Sequence, residues 1–253
     1  MKTEFNSVTL SNDLKKKIKG KVLFDEFSRG RYSTDASLYQ IKPIGVVLPK
    51  DQFDVLNIIE YSQKNSIPLL ARGGGSSQCG QTVGECIVLD YSKYQNKILE
   101  FNAKEKFVWV EPGIVLDQLN EYLKPHGLWF PVDVSTSSRA TIGGMTGNNS
   151  CGSRSLYYGN MVNNVLAVES ILDDGSIHTF ENIDKNYLSK TNDQNRKFQI
   201  IKKCIDIRKQ VKNEINEHWP KTQRRVGGYN IDLINPDGFN SSNILVGSEG
   251  TLS

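Results

Sequence analysis

A chain of mixed helices and strands is predicted by three observations. A strand, helix and strand follow one another between Ile44 and Ala71, an Asp-Gly turn separates two strand-like runs at 165–180, and apolar residues recur at helical spacing from Phe198 to Trp219. Ile44 to Leu48 is a compact apolar strand closed by Pro49. Val55, Leu56, Ile58, Ile59 and Ser62 then keep a helical spacing as far as Asn65, and Pro68-Leu-Leu-Ala71 reads as a second strand. Such a βαβ unit has a right-handed crossover, so its two strands run parallel.

Ile87-Val-Leu-Asp90 is predicted as a third strand and Phe107 to Glu111 as a fourth, broken by Pro112-Gly113. Val115, Leu116, Leu119, Tyr122 and Leu123 mark an amphipathic helix ending near His126-Gly127, with the glycine placed for a left-handed turn. From Trp129 to Tyr158 the chain is rich in Gly, Ser, Thr and Asn. That is more loop than a compact domain needs for structure alone, which points to function. Val165 to Leu172, Asp173-Asp174-Gly175 and Ser176 to Phe180 form a predicted hairpin. Residues 183–198 are polar and expected to be exposed, 198–219 form a helix, and Ile244-Leu-Val246 reads as a strand.

At 253 residues the chain is long enough for one large domain or two subdomains. Lys plus Arg number 31 against 28 for Asp plus Glu, a balance that gives no reason to expect a nucleic-acid partner. Lys15, Lys16, Lys17, Lys19 and Lys21 are read as a solvated helix face or tail. Cys79, Cys86, Cys151 and Cys204 show no CxxC pair and no zinc or iron–sulfur spacing, which suits a reduced, cytoplasmic chain. His126, His178 and His218 lie apart in sequence, so no metal is assigned. Residues 1–6 lack the apolar core of a signal peptide, and no apolar run approaches the ~20 residues of a membrane helix.

The most informative segment is Arg72-Gly-Gly-Gly-Ser-Ser-Gln-Cys-Gly-Gln81, which leaves the C-terminal end of a strand. Glycines allow φ > 0 and close approach of a ligand to the main chain, and successive N–H groups can converge on an anion. A flexible surface turn is the alternative for an isolated glycine triplet. Two further glycine-rich segments, Thr136 to Gly152 (TSSRATIGGMTGNNSCG) and Val246 to Thr251 (VGSEGT), favour the phosphate cradle.

Together the three segments resemble the flavin-binding domain of the vanillyl-alcohol-oxidase (PCMH-type) superfamily. The chain is most similar to the FAD-linked 2-hydroxy-acid dehydrogenases of the D-lactate and D-2-hydroxyglutarate type, many of which carry a C-terminal iron–sulfur region. Tyr32-Ser-Thr-Asp-Ala-Ser37, Pro43 with Val46-Val47 and Pro49, Gln81-Thr-Val-Gly84, Val110-Glu-Pro-Gly113 and Tyr158-Gly159 add to the resemblance.

The resemblance implies an α+β fold of two subdomains with FAD stretched between them. A βαβ-containing first subdomain is expected at about 39–111 after an N-terminal extension at 1–38. A second, with a larger, mainly antiparallel sheet and flanking helices, is expected at 112–253 and truncated at its end. The substrate or cap domain and the iron–sulfur domain are expected to lie outside this sequence. Carried over residue by residue, Arg72, Gly73, Gly74, Gly75, Ser76, Ser77 and Gln78 would wrap the FAD diphosphate, with Gly80 and Gln81 completing the turn. Pro131, Asp133 and Thr136 would lie along the cofactor. Thr141, Ile142, Gly143 and Gly144, with Asn148, Ser150 and Gly152, would supply close contacts from the second subdomain, continued by Tyr158 and Gly159. Glu249 and Gly250 would approach the adenosine. Some relatives bind flavin covalently through a histidine whose position is Ser76 here, so noncovalent FAD is implied.

One of Arg224 and Arg225 would face an anionic substrate or the cofactor; a solvated pair is the alternative. The implied activity is oxidation of a small-molecule D-2-hydroxy acid by hydride transfer to FAD, with an electron acceptor as second partner. No catalytic residue is assigned. A free-standing or inactive flavin module, completed in one version by a separate C-terminal subunit, and a UDP-N-acetylenolpyruvoylglucosamine reductase-like flavoprotein are the alternatives. Gly74→Val is expected to abolish FAD binding with less damage to folding, on the premise that Gly74 has φ > 0 and faces the diphosphate.

Overall fold

The structure, a computed structural model, describes residues 6–190, 195–222 and 224–253. The expected absence of a signal segment at the N-terminus and part of the polar stretch at 183–198 concern residues 1–5 and 191–194, outside the described residues. The chain divides into two compact units, 1–130 with 135–144, and 131–134 with 145–253.

In the first unit the elements are α1 (Ser7–Lys17), β1 (Lys21–Leu23), α2 (Glu26–Arg31), β2 (Gly45–Leu48), α3 (Gln52–Asn65), β3 (Leu69–Arg72), β4 (Ile87–Asp90), β5 (Ile98–Asn102), β6 (Phe107–Val110) and α4 (Leu116–Leu123). The main sheet has the order β1-β2-β4-β3. β2 and β3 each pair parallel with β4, so the βαβ strands are parallel as expected but separated by one strand. β2 and β4 are buried at every position, as uninterrupted Val/Ile/Leu runs require, while the edge strand β3 is only partly covered.

α3 is capped at both ends. The Asp51 side chain accepts the Asp54 N–H at 3.0 Å, and Ser66 closes the helix in the left-handed conformation at φ 53°, with Ile67 N–H bonded to Ser62 O at 3.0 Å. Leu116, Leu119 and Leu123 bury the apolar face of α4, and Gly127 at φ 67° ends the helical segment as the sequence predicts.

The expected N-terminal extension is instead part of this core. Leu10, Leu14, Ile18 and Val22 pack with Val47, Ile58, Ile67, Ile87 and Leu89, and β1 pairs antiparallel with β2. The buried Asp54 carboxylate fastens the segment by accepting the N–H groups of Lys19, Gly20 and Lys50, each at 2.8 Å. Lys15 to Lys17 form the last turn of α1, where cations favour the negative end of the helix dipole. The expected boundary at residue 112 falls inside the unit, because Ile114, Leu119 and Leu123 share a cluster with Ile98, Val108 and Val110.

The second unit contains α6 (Ser155–Tyr158), α7 (Met161–Asn164), β7 (Val168–Ile171), β8 (Ile177–Phe180), β9 (Asn182–Asp184), α8 (Tyr187–Lys190), α9 (Arg196–Gln210), α10 (Lys212–His218) and β10 (Gly238–Asn240). α5 (Ile142–Gly147) lies on the boundary in sequence. β7 and β8 form the predicted hairpin, with Gly175 at φ 79° in its turn. β9 pairs antiparallel with β10, so among the described residues the expected larger sheet is two separate two-stranded ladders. Leu172, Phe180, Ile201, Ile205 and Phe239 form their common core.

Ile244 to Val246 differs from the predicted strand. Residues Ser241–Ile244 form a 3-10 turn because the Asn240 side chain accepts the Ser242 N–H at 3.0 Å and starts a helical turn. Three buried apolar residues carry no period by which sequence could separate the two forms.

Candidate FAD-binding site

In the first unit the glycine loop leaves β3 and folds over residues 136–144. Gly73 rests against Thr141, where an added Cβ would lie 2.0 Å from Oγ1, and Gly74 rests against Arg139, where a Cβ would lie 2.2 Å from the carbonyl oxygen. Gly75 at φ 61° and Gly80 at φ 81° make the turns. Ser77 Oγ donates to Gln81 Oε1 and ties the far side of the loop to its middle. Among the described residues, the main-chain N–H groups from Gly74 to Gln78 have no protein partner, and Gly74 and Gln78 are exposed. Consecutive unpartnered donors in a turn lacking side-chain bulk suit a diphosphate.

Arg72 is spent differently. Its Nη1 donates to the carbonyls of Thr82 (3.0 Å) and Tyr32 (3.3 Å), and Nη2 to Thr34 (2.8 Å).

Thr141 to Gly144, expected from the second subdomain, lie in the first unit. The N–H groups of Ile142 and Gly143 bond to the carbonyls of Ile114 (2.9 Å) and Pro112 (2.8 Å), and that of Gly144 to Thr141 Oγ1 (3.3 Å). These donors therefore fasten the support beneath the loop. Thr136 belongs to the same support: its carbonyl accepts the N–H groups of Arg139 and Ala140, both at 2.8 Å.

The second unit gathers the other expected residues. Pro131 and Asp133 fall in it. Asp133 accepts Ser153 Oγ at 2.7 Å and Arg154 N–H at 3.0 Å; partial burial opposes its ionisation, and these hydrogen bonds outweigh burial and hold its carboxyl below the usual value. Gly152 must be glycine to admit Asp133, since a Cβ would lie 2.1 Å from that residue's carbonyl oxygen. Ser150 Oγ donates to Asn148 Oδ1 at 2.9 Å, and Asn148 Nδ2 to Glu249 Oε1 at 3.3 Å. The loop carrying Glu249 and Gly250 docks on the end of α5, with Gly247 N–H on Thr146 O (2.9 Å) and Glu249 N–H on Gly147 O (2.8 Å). Tyr158 ends α6, and Gly159 at φ 79° reverses the chain.

Asn149, inside the segment 148–152 expected to contact the cofactor, has a structural role that the sequence did not reveal. Fully buried at φ 50°, it closes α5 in a Schellman arrangement: Ser150 N–H reaches Met145 O (2.9 Å) and Asn149 N–H reaches Thr146 O (3.2 Å). The NNSC pattern after a small-residue helix was its only sequence signal.

The two arginines separate clearly. Arg225 is committed to Asp232 at 2.6 Å and stacks over Trp219 at 4.9 Å. Arg224 is exposed and donates Nη1 to Gly152 O at 3.1 Å. All four cysteines are free thiols; burial pushes Cys86 up to about 12, whereas Cys79 is exposed in the loop. Among the described residues no cluster of His, Cys, Asp and Glu suits a metal.

Against known families, residues 43–181 match the FAD binding domain. The chain belongs to that family. FAD is accordingly its cofactor, and the free N–H run of the loop fits it.

The chain is 37% identical over 236 residues to D-2-hydroxyglutarate dehydrogenase of Haemophilus influenzae and 36% identical over 228 residues to that of Escherichia coli. Each comparison covers 87% of this chain and 22% of the relative. The chain thus spans about a fifth of the length of these relatives. It is 36% identical over 140 residues to the mitochondrial D-lactate dehydrogenase [cytochrome] of Kluyveromyces lactis, covering 54% of this chain and 24% of that one. Among solved structures, alkyldihydroxyacetonephosphate synthase has a TM-score of 0.61 at 20% identity over 71% of this chain and 34% of its own. A Physcomitrella patens BBE-like 1 variant has a TM-score of 0.60 at 20% identity, over 72% and 38%. These two likenesses concern the fold alone and support its α+β class.

Proposed function

We propose that this chain holds FAD noncovalently within an oxidoreductase that oxidises a D-2-hydroxy acid. The observation that carries the reading is the run of unpartnered N–H groups from Gly74 to Gln78, in a family of FAD binding domains with D-2-hydroxyglutarate and D-lactate dehydrogenases among its relatives. Bound FAD supplies a hydride acceptor for the substrate α-carbon. The loop N–H groups bind the diphosphate, and the Ser76 hydroxyl adds a donor in the place where covalent relatives carry histidine. Glu249, held by Asn148, receives hydroxyls at the adenosine end. Arg224, the arginine not committed to an internal carboxylate, offers its remaining donors to an anionic substrate.

An electron acceptor completes the cycle, and a reducing, cytoplasmic setting suits the four free thiols. Among the described residues no helix is long and apolar enough to cross a membrane.

Anaerobic addition of D-2-hydroxyglutarate or D-lactate to the FAD-loaded chain tests the reading. Bleaching of the flavin band by a D-acid and not by its L-isomer supports it. Failure with every D-acid leaves an FAD-binding module, and bleaching by NADPH alone points to a reductase.

A further inference from the structure

Arg72 ends β3 and places its guanidinium inside the turn of the glycine loop. Three carbonyls, from Tyr32, Thr34 and Thr82, take its Nη protons, and its carbon lies 5.3 Å from the centre of the Tyr32 ring. The loop closes directly over it: a Cβ on Gly75 would come within 2.4 Å of Nη2. A planar fork can bind carbonyls on two sides at once, which a lysine ammonium on a single atom cannot reproduce.

Tyr32 is itself fastened. Its hydroxyl donates to Asp90 Oδ2 at 2.5 Å, and Asp90, buried at the end of the central strand β4, has Oδ1 occupied by the N–H (2.8 Å) and Oγ (2.6 Å) of Ser92. A continuous path of polar contacts therefore leads from the middle of the sheet to the underside of the loop. In such a network the members reinforce one another beyond their pairwise strengths.

We propose that Asp90, Tyr32 and Arg72 act as one brace that fixes the Gly74–Gln78 N–H groups in the shape that receives the FAD diphosphate, making Tyr32 and Asp90 positioning residues for the cofactor. The inference rests on FAD occupying this loop, so one arm of its test needs no flavin. Tyr32→Phe removes only a hydroxyl, Arg72→Lys keeps the charge, and the two are combined in a third variant.

In the apoprotein, 15N relaxation is expected to show the Gly74–Gly80 amides becoming mobile in each variant. FAD titration is expected to show affinity falling about tenfold for Tyr32→Phe, with the double variant no weaker than Arg72→Lys alone, because one path is broken once. Guanidinium ion at sub-denaturing concentration is expected to restore affinity to Arg72→Ala. Loop amides as rigid as wild type in Tyr32→Phe would overturn the brace whether or not FAD binds. Mobile amides with unchanged FAD affinity would overturn its role toward the cofactor, as would losses that simply add in the double variant.

Discussion

Oδ1 of Asn149 accepts the main-chain N–H of Val162 at 3.0 Å, joining the end of α5 to the first turn of α7. The same residue holds the left-handed turn after α5, so one side chain serves a backbone conformation and a cross-link. Asn149→Gly keeps the conformation and loses the link, with an expected cost of about 1 kcal/mol. Asn149→Ala loses both and is expected to cost about 2–3 kcal/mol. Urea denaturation of the two variants checks the order; alanine no worse than glycine would show that the conformation carries no strain.

Gly74→Val changes meaning once the structure is known. Gly74 is not among the residues with positive φ, and its missing Cβ faces the Arg139 carbonyl oxygen at 2.2 Å. The substitution is therefore expected to displace residues 139–140 and to destabilise the apoprotein by about 2–4 kcal/mol, as well as to abolish FAD binding. Thermal denaturation without flavin reads this directly. An apoprotein as stable as wild type would restore the purely ligand-facing role.

Tyr32 supplies a pH dependence. Burial first, and then the hydrogen bond to Asp90, raise its hydroxyl well above the ordinary 10.0. A group that binds its proton more tightly when folded gives stability that is complete below the unfolded value and is lost as pH rises beyond it. Wild type is accordingly expected to lose stability above pH 10 more steeply than Tyr32→Phe. Chemical denaturation across that range, with tyrosinate absorbance as a second signal, checks the sign.

The neighbouring arginines are expected to separate stability from substrate binding. Arg225→Ala removes a half-buried ion pair and is expected to cost about 1–2 kcal/mol of folding stability. Arg224→Ala is expected to leave stability within about 0.5 kcal/mol. If Arg224 receives the substrate, that variant also raises the D-hydroxy-acid concentration needed for half bleaching about tenfold, the loss of one charged hydrogen bond. Equal stability losses for both variants would contradict the assignment.

Much of this was legible in the sequence where a local rule governs. The Val/Ile/Leu runs of β2 and β4, the spacing of α3, the Gly127 stop and the Asp174-Gly175 turn each follow from chemistry within a few residues. The turns of the glycine loop were legible for the same reason, since Gly75 and Gly80 take the positive φ that glycine permits. What escaped depends on partners far away. Leu10 and Leu14 look like a lysine-rich tail until Ile58 and Ile87 are beside them. Arg72 looks like a phosphate ligand until the carbonyls of Thr34 and Thr82 surround it. The TIGG segment looks like a second cofactor wall until Pro112 and Ile114 consume its donors.

The strand order carries a final consequence. β2 and β3 share no hydrogen bonds; β4, last of the three in sequence, lies between them and joins them. The chain must cross the glycine-rich turn before the central strand can enter, so until that crossing is made the sheet is two unconnected pieces. The turn is thus a step on the folding route as well as the proposed seat for flavin. Substitutions there that lengthen or stiffen the crossing are expected to slow refolding, because closing it precedes the contacts that reward it.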